Sequence, residues 1–121
     1  MPRGLNIIIL TADAARARGG LALALAEAAL GRPVRLFFQG GAVRLLEAGA
    51  AHDGDAEAEA AGSGTLAALI AQTAEMEIAL TACETGLHGE AMDRAALVGH
   101  AQTGGLIGFL AEAHDADLLT I

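Results

Sequence analysis

A chain of 121 residues, 54% hydrophobic and 18% charged, is long enough to bury one core and too apolar to be disordered over most of its length. Its formal net charge of −8, with arginine as the only fixed cation, argues against sequence-independent binding to nucleic-acid phosphates, and the lack of Trp and Tyr removes the usual stacking platforms. One cysteine excludes an intrachain disulfide, a CxxC redox pair and a zinc site of several thiolates, and no apolar run is long enough to cross a bilayer.

The start of the chain has no signal-peptide layout, so a soluble, cytoplasmic protein is expected. Residues 5–10, with Ile7, Ile8 and Ile9 in succession, predict a first buried strand. A loop over 11–20 carries Asp13 and Arg16. Residues 21–30 alternate Leu and Ala with the period of a strand, but all are strong helix formers and Gly31 supplies a stop. A helix packed on both sides is expected there. Pro33 breaks it, residues 34–38 predict a second strand, Gln39, Gly40 and Gly41 turn the chain, and 42–46 form a short helix.

Over 47–64 the composition shifts to Ala, Gly and acids, and Asp53, Asp55, Glu57 and Glu59 alternate with small residues, so an exposed, flexible acidic loop is expected. Residues 65–75 predict a helix with Leu66, Leu69 and Ile70 on one face. Residues 78–82 predict a third strand that ends at Cys83, 89–94 a short helix, 95–98 a brief fourth strand, 105–114 the last helix and 117–121 a closing strand. Strands alternating with helices give a three-layer α/β/α domain on a mainly parallel five-stranded sheet. The layering is flavodoxin-like. The whole of 1–121 reads as one domain without internal repeats.

In such a fold ligands and reactive groups collect at the carboxyl ends of the strands. Cys83 stands there, so it is either the working atom of the protein or a small buried hydrophobe, since free cysteines are among the most buried residues. Glu84 beside it opposes a thiolate, whereas a helix amino end would favour one. His88, five residues on, is a candidate base or hydrogen-bond partner, against the plainer reading of a solvated loop histidine. Asp13, Arg16 and Gln39 leave the first two strands on the same sheet edge and are candidates to line a pocket with Cys83. His52, His100 and His114 lack ligand spacing, and no metal or cofactor site is predicted.

Other patterns fail on context. A cysteine-phosphatase loop needs an arginine six residues after the nucleophile, and position 89 is Gly89. The stretch 62–65 follows acids instead of a strand, no Walker lysine exists, and the acidic run around Asp53 is out of register for a calcium loop.

With the lone cysteine closing Ile78-Ala-Leu-Thr-Ala-Cys83, the helix and strand of 105–121, and Val34-Arg-Leu-Phe-Phe38-Gln-Gly after an Ala/Leu helix, the chain resembles the DsrE/TusD-type (DsrE/DsrF-like) family of sulfur-relay proteins. The resemblance implies assembly into homotrimers or hexamers. It also implies a persulfide on Cys83, received from an upstream persulfide donor and passed to a downstream acceptor protein, in tRNA thiolation or sulfur oxidation. That is sulfurtransferase chemistry without a cofactor, and without direct contact to nucleic acid or membrane. Relative to the tRNA-thiolation members the segment from Cys83 to Gly89 is shorter, and Glu84 replaces an apolar neighbour. The alternatives are a non-catalytic oligomeric subunit or small-ligand-binding module of the same fold, and a thiol redox sensor.

Overall fold

The first strand, β1 (Leu5–Ile9), is buried at every position, and its one polar residue, Asn6, is buried with its hydrogen bonds made. Asn6 Nδ2 donates to the Ala113 carbonyl at 3.1 Å, and Arg35 Nη1 donates to Asn6 Oδ1 at 3.1 Å. A buried amide satisfied on both sides carries little penalty and fixes its surroundings. The computed structural model describes residues 2–121.

After β1 come α1 (Ala14–Ala29), β2 (Val34–Phe38), a 3-10 helix (Gly40–Leu46), α2 (Asp55–Ala60), α3 (Leu66–Glu75) and β3 (Ala79–Cys83). Then follow α4 (Glu84–Gly89), a 3-10 turn (Arg94–Ala96), β4 (Ala101–Gly104), α5 (Leu106–Glu112) and β5 (Asp117–Thr120). Among the described residues five strands pair in parallel, in the order β4-β3-β2-β1-β5. The chain steps outward from β1 to β4, and the last strand returns to the far side of β1. Right-handed crossovers then put α1 and α3 on one face and α5 on the other.

Side chains agree with that assignment. Ile9, Leu36 and Phe38 face the α1 side, where α1 packs on α3. A Cβ on Gly20 would stand 3.2 Å from Ile9 Cδ1, so the helix lies close to the sheet at that point. On the opposite face Phe37 meets Phe109 of α5 with ring centroids 5.1 Å apart, and the Arg35 guanidinium lies 4.1 Å over the Phe109 ring. The α5 face is the thinner one: Ile107 is 87% exposed and Leu118 is 57% exposed.

Several expected elements move. Helix α1 begins at Ala14, so residues 14–20, read as loop, are helical; Asp13 caps them by accepting the Arg16 N–H at 3.0 Å. The helix expected over 89–94 lies instead at Glu84–Gly89, directly after Cys83. The fourth strand is Ala101–Gly104 and not 95–98, where Leu97 makes only an isolated bridge to Glu47. The stretch 47–64, expected as an acidic loop, contains α2, and Asp55 ties it down. The Asp55 carboxylate accepts from Arg18 Nη2 at 2.7 Å and from the backbone N–H groups of His52 and Leu66 at 2.8 and 3.1 Å. With the Arg18 hydrogen bond as the largest cause and the His52 and Leu66 N–H groups next, its carboxyl is held down at about 2.

Candidate functional site

Cys83 is at once the last residue of β3 and the N-cap of α4. Its Sγ accepts the Gly86 N–H at 3.3 Å, so a backbone donor faces the sulfur where a thiolate's charge would sit. The side chain is mostly enclosed, with the residue 8% exposed, yet it opens on a cavity of about 440 Å³. That volume fits a small ligand or one inserted side chain.

The walls of this cavity are backbone-rich. Gln39, Gly40 and Gly41 enter from the end of β2, Gly86 and Gly89 from α4, and Gly105 with Leu106 from the start of α5. Gly86 is demanded by packing: a Cβ there would stand 2.4 Å from the Gly40 carbonyl oxygen. Its absence lets α4 rest against the turn after β2 and brings the two walls together. By contrast a Cβ on Gly89 or Gly105 would meet nothing within 4 Å, so at those positions the cavity is simply open.

The sequence candidates separate into two groups. Gln39 and Cys83 share the cavity. Asp13 and Arg16 do not: Asp13 lines a second cleft of about 560 Å³ with Arg18 and His52, and Arg16 is exposed beside it. The sheet order explains the split, because β1 lies two strands from β3, about 10 Å away, with the connection after β2 in between. Glu84 and His88 are exposed on α4 outside the cavity wall.

Two polar residues that the sequence did not single out do line it: Thr85 and Glu90. Glu90 follows α4 as its C-cap, and Arg44 holds it, donating from Nε to Oε1 at 3.0 Å and from Nη2 to the Glu90 carbonyl at 2.8 Å. With α4 placed directly after Cys83, helical spacing would have put Gly86 and Glu90 on one side of it. Among the described residues no group of His, Cys, Asp and Glu is arranged to hold a metal ion, and no helix is long and apolar enough to cross a membrane.

Comparison with solved structures returns the same fold at low identity. The crystal structure of the ychN protein from E. coli matches with a TM-score of 0.76 and 16% identity, covering 99% of this chain and 100% of that one. The protein of unknown function MTH1491 from Methanobacterium thermoautotrophicum matches with a TM-score of 0.72 and 12% identity, again over 99% and 100%. BT1422 from Bacteroides thetaiotaomicron, also of unknown function, gives 0.65 and 15% over 96% and 94%. No curated protein matches the chain. The family model of the DsrE/DsrF-like family matches residues 6–121, from the second residue of β1 through β5, so the chain belongs to the DsrE/DsrF-like family, a family of the sulfur-relay type.

Proposed function

We propose that this protein carries sulfane sulfur on Cys83. The observation that supports this best is the thiol at the β3–α4 junction, mostly enclosed, facing a backbone N–H and open to the 440 Å³ cavity. In the loading step the Cys83 thiolate attacks the outer sulfur of a donor persulfide, R–S–SH. The donor S–S bond breaks, R–S⁻ leaves, and the proton stays on the transferred sulfur to give Cys83–S–SH. In the unloading step an acceptor thiolate attacks that outer sulfur, and the Cys83 thiolate leaves. No oxidant and no cofactor enter. A single thiol that must stay reduced between turnovers suits the cytoplasm.

The measurement is intact mass after incubation with a persulfide donor, with and without reductant. A reducible gain of one sulfur, about 32 Da, on Cys83 is expected. Cys83→Ser is expected to lose all loading while keeping its fold, since a serine oxygen caps a helix well. Loading that survives this substitution would sink the proposal.

A second reading rests on the 8% exposure of Cys83: a subunit or ligand-binding module whose cavity takes a small molecule while the thiol stays inert. Slow alkylation of the native protein together with no mass gain would select it. Under either reading we propose a homotrimer or hexamer, for which Ile107 and Leu118 supply unpartnered apolar surface on the α5 face. Sedimentation is expected to give an oligomer that Ile107→Glu weakens; a monomer at micromolar concentration would refute it.

A further inference from the structure

The cavity beside Cys83 has one charged side chain in its wall among the described residues, and that is Glu90. Its cation, Arg44, does not line the cavity. The pair is therefore lopsided: Arg44 grips Oε1 and the Glu90 carbonyl from outside, while Oε2 lies 3.7 Å from where a Cβ on Gly41 would stand, on the cavity wall. Gln39 and Thr85 add neutral polarity, and Glu84, the residue after Cys83, is exposed outside the cavity wall. The Glu90 side chain is 36% exposed, so its field reaches an approaching anion partly through protein and partly through solvent. At a given distance it repels more strongly than a carboxylate wholly in open water. The grip of Arg44 fixes where that repulsion acts.

We propose that Glu90 is the specificity-determining residue of the thiol cavity. It admits sulfur presented by a persulfide with neutral or basic surroundings and turns away small anionic sulfur carriers, such as carboxylate-bearing thiol persulfides. This is selection by repulsion, the negative half of recognition. As a statement about sulfur donors it rests on the carrier reading of Cys83, but the charge filter has a readout of its own.

That readout is alkylation of Cys83 by a matched pair, neutral iodoacetamide and anionic iodoacetate, with the rate ratio compared to that of a small thiol in solution. At low salt the protein is expected to disfavour iodoacetate by a further tenfold or more. Glu90→Gln is expected to bring the ratio back toward the free-thiol value, and so is raised ionic strength. Arg44→Gln leaves the carboxylate without its counter-ion and is expected to widen the gap, which keeps the test alive if Glu90→Gln does not fold. A free-thiol ratio in the unmodified protein, a ratio that folded Glu90→Gln leaves unchanged, or a thiol inert to both reagents would each overturn the filter.

Sulfur loading is then compared between cysteamine persulfide, whose carrier part is a cation, and glutathione persulfide, whose carrier part is an anion. Faster loading from the cation, with the difference narrowed in Glu90→Gln, supports the donor class. Equal loading overturns it. No loading from either, with the alkylation bias intact, keeps the filter and removes the carrier reading.

Discussion

Around the sulfur, single atoms decide the geometry. A methyl group on Gly86 would meet the Gly40 carbonyl oxygen at 2.4 Å, and that oxygen belongs to backbone that cannot swing aside. Gly86→Ala is therefore expected to push α4 off the turn after β2, cost about 1–3 kcal/mol and change the alkylation rate of Cys83. Thermal melting and the alkylation rate check it together; wild-type values of both would mean that the contact relaxes at no cost. Cys83 itself is legible in the sequence, because a lone cysteine after an apolar run and before a glycine has few places to go in a parallel α/β fold. Gln39 is legible for the same topological reason. Glu90 is not, because its role depends on where α4 ends and on an arginine 46 residues away in the chain. Asp13 reads as a wall of the Cys83 cavity, but it caps α1 and lines the second cleft instead.

At the scale of elements, four helices end in the same way. After α1, α2, α3 and α4 the chain takes one residue in the left-handed region, at Gly31, Gly62, Glu77 and Ala91. In each the following N–H reaches back to the third-last helical carbonyl: Arg32 to Glu27, Ser63 to Ala58, Ile78 to Thr73 and Met92 to Leu87. Glycine adopts this conformation freely, whereas Glu77 and Ala91 carry the steric cost of a Cβ. Glu77→Gly and Ala91→Gly are each expected to stabilise the protein by about 0.5–1 kcal/mol. Urea denaturation midpoints measure this, and a lower midpoint in either variant would contradict the strain. Gly31 marks its helix end in the sequence; Glu77 and Ala91 carry no such mark, which is part of why pattern alone places α4 several residues too late. The start of α1 is hidden for a related reason, since Gly19 and Gly20 look like a loop until Gly20 is seen against Ile9. Strand β4 escapes pattern because Ala101, Gln102, Thr103 and Gly104 form an edge strand with little burial and hence no apolar run.

At the scale of the molecule, layering and parallel pairing are legible from the alternation of elements, and the strand order is not. Pattern shows which segments pair with something; it does not show that β5 returns to the far side of β1. The acidic balance of the chain has a local exception in Asp55, which joins α1, α2 and α3 through one carboxylate. Its carboxyl sits at about 2 when folded, against an ordinary value of 3.8 when free. Because the folded value is the lower one, the stabilisation is fully present above pH 4 or so and is lost as pH falls through about 2. Asp55→Asn is expected to cost about 2 kcal/mol at neutral pH, with the gap to the unchanged protein closing over that acid window. A gap independent of pH between 5 and 2 would assign the loss to packing instead. Asp117, held down by Arg3 and then Arg32 at the open end of β5, shifts in the same direction.

The return of β5 has a consequence in time. Leu5 is in register with Asp117, a pairing that spans nearly the whole chain. During synthesis β1 can gain β2 as a neighbour early, but its other flank waits for the last strand to be made. Until then an Ile-rich strand offers a bare row of amides and carbonyls, the sort of template that another nascent chain could join. High contact order of this kind slows folding, so the interval is governed by translation and by long-range search rather than by any local step. Covering that flank of β1 is thus a task that falls to β5 alone, at the end of the search.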